Sequence, residues 1–269
     1  MNFQEPTTTI MKTLLPLLLL GVASLHARPV PIIGEMAEEV LEKTLFLNPQ
    51  FLVYPPTKTE PDQKIPLLIY LHGAGCLGSE IRKITGQSRG VVEGIQRFEK
   101  GPCLVVAPQC RRESEKSDLR GTWEPKDLDL FLAHLLEHYD YIDPDRIYLT
   151  GNSMGGYGSW VWGGNSPEHF AAIAPVSGGI GRGGPKDVSP DIEKWAANLA
   201  KVPVYAFAGA KDRVVPAERS ERIVTAIKKA GGKQAKLTIY PEEAHGAGRQ
   251  VFSNKPFYDW MFSQKRNSK

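Results

Sequence analysis

The chain has 269 residues, 41% hydrophobic, 23% charged and 9% aromatic, and its 33 Lys and Arg against 30 Asp and Glu leave a formal net charge of +3. This composition suits a folded globular chain and excludes a disordered tract or a coiled coil. The near-neutral balance supplies no strong pull toward nucleic acid or an anionic membrane.

The first segment reads as an export signal. Met11-Lys12-Thr13 is a basic start, Leu14 to Ala23 is an apolar run broken by Pro16, and small residues follow through Ala27. The run is too short to span a bilayer, which takes about 20 residues. Residues 1–10 carry Glu5 and no Lys or Arg, so the start is open between Met1 and Met11, and cleavage is open between Ser24 and Ala27. The expectation is a leader over residues 1–27, a secreted or periplasmic product without stable membrane insertion, and one domain over 28–269.

Beyond it, short apolar runs alternate with helical patterns. The runs Leu45–Leu47, Phe51–Tyr54, Leu67–Leu71, Cys103–Ala107, Ile147–Thr150, Ala171–Val176, Val202–Ala208 and Leu237–Tyr240 predict strands. Several are apolar at nearly every position, as strands covered on both faces are. Asp127–Tyr139 sets Leu128, Phe131, Leu132, Leu135 and Leu136 on one helical face, and Ala217–Ala230 does so with Ile223, Val224 and Ile227 before a Gly231-Gly232 stop. Such alternation predicts a mostly parallel sheet between helical layers.

The pattern Gly-x-Ser-x-Gly occurs twice, at Gly86–Gly90 and at Gly151–Gly155. A nucleophilic serine on a tight elbow needs a strand before it and a helix after it. Ser153 has both, in Arg146–Thr150 and in a helix from Met154 to Trp162. Ser88 follows the polar Ile81–Thr85, which reads as helix or loop and not as a strand, so it is read as structural. A serine needs an oriented base. Asp212 and His245 each follow an apolar strand, in the order Ser, Asp, His; Asp187 and Asp191 are rival acids without a close preceding strand. The run Ile69-Tyr70-Leu71-His72-Gly73-Ala74-Gly75 ends a strand in an open turn. Its Ala74 amide (Gly75 as second choice) and that of Met154 are the expected oxyanion donors, with His72 as a structural brace.

Together His72–Gly75, Ala107–Cys110, Gly151–Gly156, Gly209–Asp212 and Ala244–Gly246 resemble the α/β-hydrolase superfamily over about residues 50–262. They are similar to its carboxylesterase-like "predicted peptidase" group, near dienelactone hydrolases, feruloyl esterases and polyhydroxybutyrate-depolymerase-like esterases. The resemblance implies an eight-stranded sheet with Leu67–Leu71 between Cys103–Ala107 and Ile147–Thr150. It also implies ester hydrolysis through an acyl-serine. The short stretch Gly178–Ala200 implies a minimal lid and no preference for long lipid chains.

Within that frame, three cysteines in an exported chain invite one disulfide. An extended strand holds Cys103 and Cys110 about 23 Å apart, beyond disulfide reach. Cys76 and Cys110 follow adjacent strands, so a Cys76–Cys110 bridge is expected, with free thiols as the alternative. His134-Leu135-Leu136-Glu137-His138 matches an inverted zinc-protease pattern, but no third ligand is evident and it is read as a solvated pair. Gly181–Gly184 lacks the Lys-Ser/Thr of a phosphate loop. Trp123 is core, or an aromatic wall of the substrate pocket. The expectation is a serine carboxylesterase without metal or organic cofactor, acting on a small-molecule or polysaccharide-linked ester. A peptidase using the same residues and a non-catalytic binding module are the alternatives.

Overall fold

Strand β3, Ile65–Leu71, is apolar and buried at every position, and the sheet is built around it. The structure is a computed structural model and describes Met1 and residues 31–44, 46–98, 100–111, 123–180 and 192–266. The expected leader, the rival acids Asp187 and Asp191, the Gly181–Gly184 loop and residues 181–191 of the expected lid stretch lie outside the described residues.

Eight strands run in the spatial order β1-β2-β4-β3-β5-β6-β7-β8. They are β1 (Ala37–Val40), β2 (Leu47–Tyr54), β3, β4 (Leu104–Cys110), β5 (Ile142–Asn152), β6 (Ala172–Val176), β7 (Val204–Gly209) and β8 (Ala235–Tyr240). The β1–β2 and β2–β4 pairs are antiparallel. The remaining pairs, from β4–β3 through β7–β8, are parallel. Strand pleating sends Leu67, Ile69 and Leu71 into one core and Leu68 and Tyr70 into the other.

Each core is closed by its own helices. On the first face α2 (Pro125–His138), α3 (Met154–Asn165), α4 (Ile192–Leu199) and α5 (Glu218–Lys229) contribute Phe131, Trp160, Leu199 and Ile223. On the second, α1 (Thr85–Arg97), α6 (Ala247–Phe252) and α7 (Lys255–Phe262) contribute Val91, Ile95, Val251 and Tyr258. Among the described residues no helix is long and apolar enough to cross a membrane.

The topology fixes where a site can form. The chain goes from β3 outward to β4, then jumps back across β3 to β5, so the winding direction reverses there. In open α/β sheets such a reversal leaves a crevice beyond the carboxyl ends of the strands. Here those ends carry His72 after β3 and Ser153 after β5.

Candidate active site

Ser153 sits between β5 and α3 with φ 58° and ψ −117°, a left-handed conformation that costs a non-glycine residue about 1–3 kcal/mol. The turn is held by Ser153 N–H donating to Val176 O at 2.9 Å and by Tyr157 N–H donating to Ser153 O at 3.0 Å. The flanking glycines are steric necessities. A Cβ on Gly155 would lie 1.8 Å from Leu71 O, and one on Gly151 would lie 2.5 Å from Gly155 O. Backbone therefore packs on backbone, and the positive end of α3 points at the serine.

Asp212 and His245 arrive on neighbouring loops. Asp212 follows β7; its Oδ1 accepts the Val214 and Val215 amides, each at 2.9 Å. Its Oδ2 accepts His245 Nδ1–H at 2.8 Å. Three donors compensate a carboxylate side chain that is fully buried. His245 follows β8, and its Nε2 lies 2.8 Å from Ser153 Oγ. An ionised carboxylate only accepts, so Nδ1 carries the proton and Nε2 is left to accept from the serine. The two loops are tied by Lys211 N–H to Glu243 O at 2.9 Å and Ala210 N–H to Tyr240 O at 3.0 Å. Ser153, Asp212 and His245 thus come together as the order of strands predicts. Ser88 goes elsewhere: it is fully buried, 2.7 Å from the Tyr54 hydroxyl.

The turn after β3 lies against Ser153. An ideal Cβ on Gly73 would be 3.5 Å from Ser153 Cβ and 3.3 Å from Asn152 O. Ala74 opens a 3-10 turn, Ala74–Cys76, and Met154 opens α3. Among the described residues neither amide is engaged in a hydrogen bond, which leaves both available to an oxygen. His72 is a brace: its Nδ1–H donates to Gly73 O at 2.8 Å and its Nε2 accepts Cys110 N–H at 3.0 Å. Burial pushes its pKa down to about 4, because charging the ring in that place lacks solvation. Gln109, also fully buried, donates through Nε2 to Cys76 O at 2.9 Å and Glu80 O at 3.0 Å.

The expected Cys76–Cys110 disulfide is corrected. No disulfide joins them, although Gly78 N–H reaches Cys110 O at 3.1 Å. The backbones are neighbours, but Cys110 points into the core on one face of the sheet and Cys76 into the other. Trp123, read as core or as an aromatic wall of the pocket, is 3% exposed and packed in the first core. Its ring lies edge-on to His72 at 4.9 Å and against Gly158. His134 and His138 stack at 3.9 Å, with His138 Nδ1–H donating to His134 O at 2.8 Å.

A family model described as "Dienelactone hydrolase family" matches residues 117–253, the stretch that carries the elbow, the acid and the histidine. The chain belongs to the dienelactone hydrolase family. A "Putative carboxymethylenebutenolidase" of Salmonella typhimurium is 28% identical over 106 residues, 38% of this chain and 37% of that protein. An "Uncharacterized peptidase" of Bacillus subtilis is 28% identical over 158 residues, 49% of this chain and 24% of that one. The crystal structure of a thermostable esterase superposes with TM-score 0.72 at 29% identity, covering 87% of this chain and 64% of that one. The chain therefore spans about a third of the first relative's length. Family and fold together bear out the resemblance to the α/β-hydrolase superfamily.

Two contributors escaped the sequence reading, Gln87 and Gln109. Gln87 was inside a motif set aside with Ser88, and its Oε1 accepts Gly73 N–H at 2.7 Å.

Proposed function

We propose that this chain is an exported serine esterase acting through an acyl-serine intermediate. The observation that carries the reading is the continuous hydrogen-bond line from Asp212 through His245 to Ser153 Oγ. Ser153 Oγ attacks the ester carbonyl carbon while His245 Nε2 takes its proton. The carbonyl π pair moves onto oxygen, and the Ala74 and Met154 amides hold that oxyanion. As the carbonyl re-forms, the C–O bond to the alcohol breaks and His245 returns its proton to the leaving oxygen. Water, deprotonated by His245, attacks the acyl-serine; collapse releases the acid and restores the Ser153 hydroxyl. Asp212 stays ionised and fixes the imidazole tautomer throughout.

The substrates we assign are short-chain or polysaccharide-linked esters of acetyl or feruloyl type, supported by the short β6–β7 connection. The leader pattern of residues 1–27 supports export, and a secreted or periplasmic form beginning after Ser24 or Ala27 is the expected product by mass spectrometry. An intact Met1 or Met11 on protein retained inside the cell would overturn it. Similarity to an uncharacterized peptidase brings peptides into the same assay. Wild type is expected to hydrolyse p-nitrophenyl acetate and Ser153→Ala to lose that activity; equal rates would remove the ester reading. A panel of acetyl, butyryl, feruloyl, long-chain and peptide substrates then sets the class, and fastest turnover of peptides would replace esterase by peptidase.

A further inference from the structure

We propose that Gln87 is a positioning residue for the oxyanion site, acting through Gly73 and resting on the esterase reading above. Two peptide planes meet at Gly73 Cα, which has φ −80° and ψ 168°. The first carries Gly73 N–H. The second carries Gly73 C=O and Ala74 N–H, which point in opposite directions because the peptide is planar and trans. Whatever holds Gly73 O therefore also aims the Ala74 amide.

Each plane has its own holder. His72 Nδ1–H and Cys76 N–H converge on Gly73 O at 2.8 and 3.1 Å, which fixes the second plane. Gln87 Oε1 takes Gly73 N–H at 2.7 Å, which fixes the first. Sterics alone do not set a glycine's dihedrals, so the angle between the planes depends on both holders. A Cβ here would lie 3.3 Å from Asn152 O, 3.4 Å from Gln87 Oε1 and 3.5 Å from Ser153 Cβ, so Gly73 stands between the Gln87 acceptor and the Ser153 turn. Both holders of Gly73 O belong to the same turn, so removing Gln87, which ties Gly73 to α1, lets that turn shift as a unit and carry the Ala74 amide out of aim without losing any contact to bound ester.

The place of Gln87 makes the idea testable. It stands in the first turn of α1, fourteen residues beyond Gly73. It lines a cavity of about 480 Å³ that Asn152, Gly246 and Phe252 also line, so a replaced side chain has room. Gln87→Met keeps the length and removes the carbonyl acceptor. Gln87→Ala removes it too and favours the helix. If either variant fails to fold, the other carries the test.

For p-nitrophenyl acetate kcat is expected to fall about 10- to 100-fold, less than or close to the loss of a direct oxyanion donor, with KM within about twofold. Affinity for a trifluoromethyl ketone, whose tetrahedral adduct puts its oxygen where the oxyanion forms, is expected to fall by the same factor. A structural prop would lower the melting temperature and leave kcat and inhibitor affinity of the folded variant intact, and that result overturns the proposal. Inactive wild type overturns the ester reading and the clamp with it. Active wild type with undiminished variants overturns the clamp alone.

Discussion

The segments Gly86-Gln87-Ser88-Arg89-Gly90 and Gly151-Asn152-Ser153-Met154-Gly155 share one pattern and almost nothing else. In the second, both glycines face backbone: a Cβ would strike Gly155 O at 2.5 Å and Leu71 O at 1.8 Å. In the first, a Cβ on Gly86 meets nothing within 4 Å and one on Gly90 only Phe252 Cβ at 3.9 Å. Ser153 is held at φ 58° between strand and helix, whereas Ser88 lies within α1 and donates to Ile84 O at 3.2 Å. The motif acquires chemical meaning from the buried strand that drives the chain into the turn. The two segments nevertheless meet at Gly73, whose N–H donates to Gln87 Oε1 and where a Cβ would lie 3.5 Å from Ser153 Cβ.

The sharpest way to break the comparison is to remove each hydroxyl. Ser153→Ala is expected to lower kcat by about 10⁴-fold or more, measured by p-nitrophenyl acetate turnover. Ser88→Ala is expected to leave kcat within about twofold and to cost about 1–3 kcal/mol in urea unfolding, because the buried Tyr54 hydroxyl loses its partner. Reversed outcomes would exchange the two assignments. Asp212→Asn comes next, with kcat down about 10³- to 10⁴-fold, because an amide lets the imidazole adopt the wrong tautomer. Unchanged kcat there would move the acid role to another residue.

The glycines give a stability version of the same contrast. Gly155→Ala forces its new methyl into the Leu71 carbonyl, and a loss of about 4 kcal/mol or outright misfolding is expected. Gly90→Ala has room, sits inside α1, and is expected to gain about 0.5–1 kcal/mol from helix propensity. Chemical denaturation of both variants reads the difference, and equal destabilisation would contradict the packing described at the two turns.

What the sequence showed follows from the same physics. Ser153, Asp212 and His245 were legible because each follows an apolar strand whose end sets the position of its loop. Strand β1 was not, since Ala37-Glu38-Glu39-Val40 is an edge strand exposed at three of its four positions and so lacks an apolar signature. Helix α1 was hidden by Gly86, Gly90 and Gly94; Gly94 is there because a Cβ would meet the Tyr258 hydroxyl at 1.9 Å, a contact made across 164 residues. The Cys76–Cys110 expectation used backbone adjacency and overlooked pleat parity: Cys110 shares its face with Leu104 and Val106, opposite the face of Cys103 and Val105. Gln87 was invisible for a similar reason. Its partner is a backbone amide on a separate turn, and no pattern of residue types announces such a contact.

The smallest expected effect concerns His72, which grips the same Gly73 that Gln87 grips. Its folded pKa is pushed down to about 4 by burial, below the unfolded value of about 6.5. The folded state therefore keeps the ring neutral between those limits while the unfolded state takes up a proton. Stability from this group is fully present above pH 6.5, falls as the pH drops toward 4 by at most about 1.4 kcal/mol per pH unit, and changes no further below. In His72→Gln that contribution to the slope is absent. Unfolding free energies at pH 7, 5.5 and 4.5 are expected to decline more steeply in wild type than in the variant. Equal slopes would mean that the ring is charged in the fold, and a charged ring cannot accept Cys110 N–H at Nε2. The Nδ1–H bond to Gly73 O would survive and the tie to Cys110 would not, so the slope decides whether His72 braces the Gly73 turn against β4 or grips Gly73 alone.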